Sequence, residues 1–323
     1  MIDRDRERAM LRAVELYYFE GFTQAAISER LGCTRWTVGR LLKEATDAGV
    51  VEINIHHERA RRHDLEQRLE CGFGLVRARV VPTGSTPRET MSRLAHAGAD
   101  FLTDIRPRPR VVGVAYGRTM GAMARALPER WIQGVTVVQI AAAPANLDDA
   151  FVGSSIRMIS RRGNGVSRTL PSVPVFATAE QKRRVEAQEE VATCLGLARK
   201  ADVVFYSPGP AGAESLLIDS EGFSPAEAEQ LRGGGAVAVI GNRLITAEGE
   251  PADAEVDQRT LGVGLDDLRQ ARLSVAVGGG ADKHEAFRAI VRGRLANVLV
   301  IDSDTAEMLL EAGLADQNAE WSD

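Results

Sequence analysis

The 323-residue chain is short of cysteine, of excess positive charge and of long apolar runs, and each shortage removes a class of protein. Its three cysteines, Cys33, Cys71 and Cys194, are odd in number, far apart and without metal-ligand spacing. That excludes a disulfide framework and reads as reduced thiols in a cytoplasmic protein. No segment approaches the roughly 20 apolar residues of a membrane span. The charged start MIDRDRERAM has no apolar export core, so no membrane partner is expected. Forty Lys and Arg against 45 Asp and Glu leave a net charge of −5. Any nucleic-acid contact must therefore be local, not that of a general polyanion binder. There is no repeat of fixed period and no low-complexity tract.

A chain of this length suits two unequal domains, a short helical head and a body of about 250 residues. The head is organised around QAAISERLGCTRWTVGRLLKEATDAGVV, from Gln24 to Val51. Its apolar positions Ile27, Leu31, Cys33, Val38 and Leu41 fit two short helices crossing each other, with small Ser28 leaving room at the crossing. Gly32 falls at the turn, where positive φ is favoured, and Thr34 can cap the second helix. The pattern is a helix-turn-helix. Arg35, Trp36, Thr37, Arg40 and Lys43 fall outside the buried stripe, and with Gln24 and Thr34 they form the expected DNA-reading set. An earlier apolar stripe, Met10, Val14, Tyr17 and Tyr18, supplies a preceding helix. A glycine stop in AGVVEINIHH followed by alternating Val51, Ile53 and Ile55 predicts a wing strand.

Residues 1–57 carry eight Arg and Lys against nine Asp and Glu, so phosphate attraction has to come from clusters. Arg35, Arg40 and Lys43 on the reading helix, and Arg59, Arg61 and Arg62 after the wing, are the candidates. Residues 58–74 read as a linker helix whose seam, Leu65 and Leu69, is suited to pairing two subunits, since two half-sites demand a dimer. His56, His57 and His63 lack neighbouring cysteine or carboxylate spacing, so no metal is expected.

From Leu75 onward, LVRARVV, RVVGVAY, VTVVQI, ADVVFY, AVAVI, LSVAVGG and NVLVID read as buried strands. They alternate with helical patterns, PRETMSRLAHAGADFL, TAEQKRRVEAQEEVATCLGLA, SPAEAEQLRG and HEAFRAIVRG. This predicts an α/β fold with a doubly wound, mostly parallel sheet. The stretch Gly249 to Gly264 reads as an irregular excursion. Two strand-to-helix turns can hold an anion: Gly117, Arg118 and Thr119, and the glycine turn Gly278, Gly279 and Gly280 followed by Lys283. Ligand sites in such sheets lie beyond the carboxyl ends of the strands, so Gln139 and Gly209 belong to the same expected rim.

The stretches YYFEGFTQAAISERLGCTRWTVGRLLKEATDAGVVEI, VGVAYGRTMG and VAVGGGADKHEAFRAIVRGRLANVLVIDSDTAEMLL resemble SorC-type sugar-binding transcriptional regulators, from about Arg12 to Leu310. The resemblance implies a winged helix-turn-helix (1–57), a linker helix (58–74) and an effector and oligomerisation domain (75–323) shaped like phosphosugar isomerases. It implies homodimers or homotetramers that bind duplex operators of a carbohydrate-utilisation operon and respond to a sugar phosphate, sugar or polyol, with no cofactor. Gly117, Arg118 and Thr119 match its phosphate-turn motif, and Gly279, Gly280 and Lys283 its glycine-lysine motif. Two departures stand out. Ala238 and Val239 occupy a strand that often carries Gly-Asp, and Ser207, Pro208 and Gly209 a turn that often reads Gly-Ile-Gly, which points to a different effector. The alternative is a sugar-phosphate isomerase or deaminase with an appended head. Such an enzyme needs a placed general base, and only Asp282 and His284 flank Lys283, so no catalytic residue is assigned.

Overall fold

The structure is a computed structural model, and it describes residues 4–51, 61–143, 149–211, 217 and 223–320. The chain forms two compact units, Met1–His57 and Glu58–Asp323.

In the first unit α1 (Arg4–Val14) runs into a single π-helical turn, Glu15–Phe19, before α2 (Gln24–Leu31) and α3 (Arg35–Asp47). Met10, Val14, Leu16, Ile27, Val38, Leu41 and Leu42 form its core, with Leu31, Cys33 and Val51 packed at the margin. The expected inward stripe of α1 holds for Met10 and Val14 but not for Tyr17 and Tyr18, which are exposed. The wider turn, closed by Glu20 N–H donating to the Glu15 carbonyl, shifts the register so that Leu16 takes the buried place. Gly32 adopts φ 61°, the left-handed conformation that closes the turn with its N–H on the Ser28 carbonyl. Beyond Val51, the residues of the expected wing strand, with His56, His57 and Arg59, lie outside the described residues.

The second unit is built on seven strands: β1 (Arg77–Val81), β2 (Val111–Val114), β3 (Thr136–Gln139), β4 (Val166–Arg168), β5 (Val203–Tyr206), β8 (Ser274–Val277) and β9 (Val298–Asp302). All pair in parallel, in the order β1-β9-β8-β5-β2-β3-β4. The helices are α4 (His63–Phe73), α5 (Pro87–Asp104), α6 (Arg118–Ala126), α7 (Asp149–Arg162), α8 (Ala179–Glu186), α9 (Glu189–Arg199), α10 (Pro225–Gly233), α11 (Ala254–Gln258), α12 (Leu265–Gln270), α13 (His284–Arg292) and α14 (Ser303–Glu320). One face of the sheet, presenting Val204, Tyr206, Ala276, Leu299 and Ile301, packs on α4, α9, α13 and α14. The other, presenting Val203, Phe205, Val275, Val277, Val298 and Val300, packs on α5, α6 and α7. Successive side chains alternate between two buried faces, which is why the strands read as unbroken apolar runs.

Three expectations are corrected. AVAVI is not a strand of the sheet: β6 (Ala238–Ile240) pairs antiparallel with β7 (Arg243–Ile245) in a separate hairpin. Gly241 and Asn242 both have positive φ, the two-residue turn that matches hairpin twist. The long pattern from Thr178 to Ala198 breaks at Ala187 and Gln188 into α8 and α9, where Glu189 and Glu190 begin a new helix at its positive end. The excursion Gly249–Gly264 contains α11, capped by the Asp253 carboxylate accepting from Glu255 and Val256 N–H.

The seam of α4 is spent inside the chain, because Leu65 and Leu69 are fully buried in the core shared with β1 and α14. The entry to α4 is clamped as well. The Glu66 carboxylate, almost wholly buried, accepts from Arg61 at 2.5 Å and from Val80 N–H at 2.9 Å, and Arg62 N–H donates to the Val80 carbonyl at 2.8 Å.

Candidate functional site

Strands β2 and β5 are neighbours whose connections leave in opposite directions, β2 toward β3 and β5 toward β8. A crevice beyond their carboxyl ends is where an open α/β sheet binds a ligand. The turn after β2 supplies Gly117, at φ 132°, then Arg118 and Thr119 in the first turn of α6. Arg118 is exposed, while Thr119 is buried and donates its hydroxyl to Ser207 Oγ at 3.2 Å, across to the turn after β5. From the turn after β8, Lys283 Nζ donates to the same Ser207 Oγ at 3.0 Å. Three adjacent strands thus deliver a threonine, a serine and a lysine to one hydrogen-bonded chain at the switch point.

Burial lowers the Lys283 ammonium pKa below the ordinary lysine value, with Asp282 pulling it back up and Arg118 pushing it further down. Two cations, with no carboxylate bonded to Lys283 among the described residues, make a place where an anion relieves both repulsion and lost solvation. The first N–H groups of α6 add partial positive charge.

The glycine turn is shaped by a buried carboxylate. A Cβ on Gly279 would lie 2.4 Å from Asp302 Oδ1, so only glycine lets the backbone pass. Asp302, fully buried at the end of β9, also accepts from the Thr83 hydroxyl at 3.2 Å and from Gly280 N–H at 3.4 Å. Asp282 and His284 make no hydrogen bond to Lys283, Ser207 or Thr119 among the described residues. Nor do the described residues contain a group of three or more potential metal ligands.

Two expected rim residues are drawn off into structure. Gln139 is 2% exposed, its amide donating to the Ala141 carbonyl at 2.7 Å and accepting from Leu170 N–H at 3.0 Å. With each amide atom bonded to backbone and the side chain buried, it locks the exit of β3. Gly209 exchanges two backbone hydrogen bonds with Val239, each 2.9 Å, which ties the hairpin to the turn after β5. Val239 accordingly packs against the small core beneath the hairpin, an apolar wall where the resemblance implies a carboxylate.

Sequence reasoning passed over Ser207 and the Tyr116–Asn242 pair as site groups. Tyr116 donates its hydroxyl to Asn242 Oδ1 at 2.5 Å, and Asn242 donates to the Ala142 carbonyl, joining the hairpin turn to the ends of β2 and β3. Burial raises the Tyr116 phenol above its ordinary value. The signal for Ser207 was available: it is the first polar residue after the strand that borders the switch point.

On the first unit, the Thr34 hydroxyl caps α3 by accepting from Thr37 N–H at 3.1 Å and pairs with the Thr37 hydroxyl at 2.9 Å. Gln24 lies over α3, its Oε1 3.6 Å from where a Cβ on Gly39 would stand. Arg35 is exposed and makes no ion pair among the described residues, and Trp36 is 71% exposed. The other expected phosphate contacts among the described residues are paired. Lys43 pairs with Asp47 at 2.8 Å, Arg40 with Glu44 at 3.7 Å, Arg61 with Glu66, and Arg62 with Asp64. The expected phosphate cluster is thus, among the described residues, largely neutralised by carboxylates two to five residues away in sequence.

Among the described residues no helix is long and apolar enough to cross a membrane. Residues 57–311 match the family described as "Putative sugar-binding domain". The deoxyribonucleoside regulator of Bacillus subtilis (strain 168) is 30% identical over 312 residues, covering 96% of this chain and 99% of that protein. The erythritol catabolism regulatory protein EryD of Brucella abortus (strain 2308) is 28% identical over 313 residues, covering 96% and 98%. The solved full-length sorbitol operon regulator SorC of Klebsiella pneumoniae superposes with a TM-score of 0.68 at 25% identity, covering 94% of this chain and 98% of that one. With its parallel sheet, the rim between β2, β5 and β8 and relatives that match it end to end, the chain belongs to the SorC family of sugar-binding transcriptional regulators.

Proposed function

We propose that the first unit is a winged helix-turn-helix that binds a duplex operator through α3, and that the rim of the second unit binds a phosphorylated sugar or related polyol that alters operator affinity. The observation that carries this reading is the Thr119–Ser207–Lys283 chain, with Arg118 beside it, at the switch point of the sheet. A hydroxyl pair, a half-buried ammonium, a guanidinium and a helix N-terminus match a phosphate's oxygens and charge. Residues 1–57 then serve as the reading head, 58–74 as the connection and 75–323 as the effector and oligomerisation body of a cytoplasmic homodimer or homotetramer.

The same reading makes the protein a switch and not an isomerase or deaminase. What supports this is that the relatives matching the chain over nearly its whole length are regulators, and that among the described residues neither Asp282 nor His284 is hydrogen-bonded to the Thr119–Ser207–Lys283 chain. Coupling follows if the ligand binds one arrangement of the subunits better than another. The test is a thermal-shift screen of free and phosphorylated sugars and polyols, repeated in the presence of duplex DNA. A cognate phosphate at a hundredfold excess over its Kd should raise the midpoint by about 5 to 10 °C and change duplex affinity, without turnover. Steady product formation proportional to protein would overturn the reading.

A further inference from the structure

The N-terminal turn of α3 presents four side chains, and their chemistry is uneven. The hydroxyls of Thr34 and Thr37 bond to each other, Arg35 is an unpaired cation among the described residues, and Trp36 is a large apolar ring left 71% exposed. The ring is fixed despite that exposure. The Arg40 guanidinium sits 4.8 Å from the Trp36 ring centroid, one helical turn away. Glu44 holds Arg40 at 3.7 Å, and Arg6 of α1 anchors Glu44 through a fork of 2.5 and 3.1 Å. This relay, Arg6 to Glu44 to Arg40 to Trp36, covers one part of the indole and leaves the rest facing outward. It also commits Arg40 to support.

We infer that Trp36 is a specificity-determining residue that packs its indole against the C5 methyl of a thymine in the major groove of each half-site. The inference rests on the proposed DNA-binding role of α3 and names what that helix reads. An indole offers one N–H donor and is otherwise apolar. The base edges of the major groove carry one apolar group, the thymine methyl, so an outward apolar ring at the start of a reading helix matches that group. The side chain arrives ordered, because cation and ring attract and the cation is tied at its far end.

The experiment selects duplexes from a randomised pool with the full-length protein, then replaces each fixed thymine in turn by deoxyuridine, which removes the methyl and keeps every hydrogen-bonding group. Uracil at one position per half-site should weaken wild-type binding about fourfold, the value of one buried methyl group. Trp36→Ala should bind thymine and uracil duplexes equally, while Trp36→Phe should keep part of the difference. Because Trp36 is exposed, Trp36→Ala should melt with the wild type, which separates lost reading from lost folding. Equal sensitivity to uracil in wild type and Trp36→Ala, or none at any position, overturns the inference and leaves DNA binding standing. A pool from which nothing is enriched overturns both.

Discussion

Lys283 Nζ and Thr119 Oγ1 reach the same oxygen, Ser207 Oγ, from opposite sides, at 3.0 and 3.2 Å. Ser207 therefore holds both proposed effector-binding groups in position before any ligand arrives. Ser207→Ala should weaken effector binding about tenfold by freeing both, and Lys283→Met should weaken it about tenfold to a hundredfold by removing a charge-assisted bond. Isothermal titration with the sugar phosphate found by thermal shift reads both values.

Effector affinity should depend on pH through Lys283. Burial lowers its pKa in the free protein, and a bound anion favours the charged form, so binding takes up a proton once the pH exceeds the lowered value. Affinity should then fall as pH rises from that value toward the ordinary lysine range, and the slope should vanish in Lys283→Met. The same depression has a cost in stability. The unfolded chain holds its proton more tightly, so the folded state gains stability as pH rises through the window between the lowered and the ordinary value.

The glycine turn gives a stability contrast. Gly279→Ala drives a methyl into Asp302 and should cost about 1 to 3 kcal/mol, whereas Gly196→Ala, in α9 with open space around it, should add about 0.5 to 1 kcal/mol. Urea midpoints of the two variants, compared with wild type, should move in opposite directions.

Much of this was readable because burial on both faces leaves a plain trace. Val203 to Tyr206 and Val298 to Ile301 are apolar runs, and the carboxyl ends of such strands fix where Thr119 and Lys283 must lie. What escaped notice depends on geometry that periodicity does not encode. The three-residue β6 has a strand's composition but a hairpin's turn, and nothing local in Leu65 and Leu69 distinguishes a subunit seam from a seat in the chain's own core. Gln139 stands at a strand end as a ligand residue would, yet its amide is bonded to the nearby backbone of Ala141 and Leu170. The π turn at Glu15–Phe19 broke a 3.6-residue stripe that the sequence follows faithfully.

With α3 as the proposed reading helix, its ion pairs should set the salt dependence of DNA binding. Arg35→Ala should reduce the slope of log K against log salt by about 0.9 for each phosphate that is no longer neutralised. Lys43→Ala should change it less, because Asp47 already neutralises that ammonium. Anisotropy of a labelled duplex between about 50 and 200 mM salt, the range over which phosphate neutralisation is felt, separates the two.

The most direct measurement is duplex affinity against sugar phosphate concentration, in wild type and in Lys283→Met. Wild-type affinity should change by about fivefold or more on saturation, and Lys283→Met should bind the duplex as tightly as wild type without ligand and need about tenfold to a hundredfold more ligand for the same response. A Lys283→Met protein that responds like wild type would contradict an effector site at Lys283.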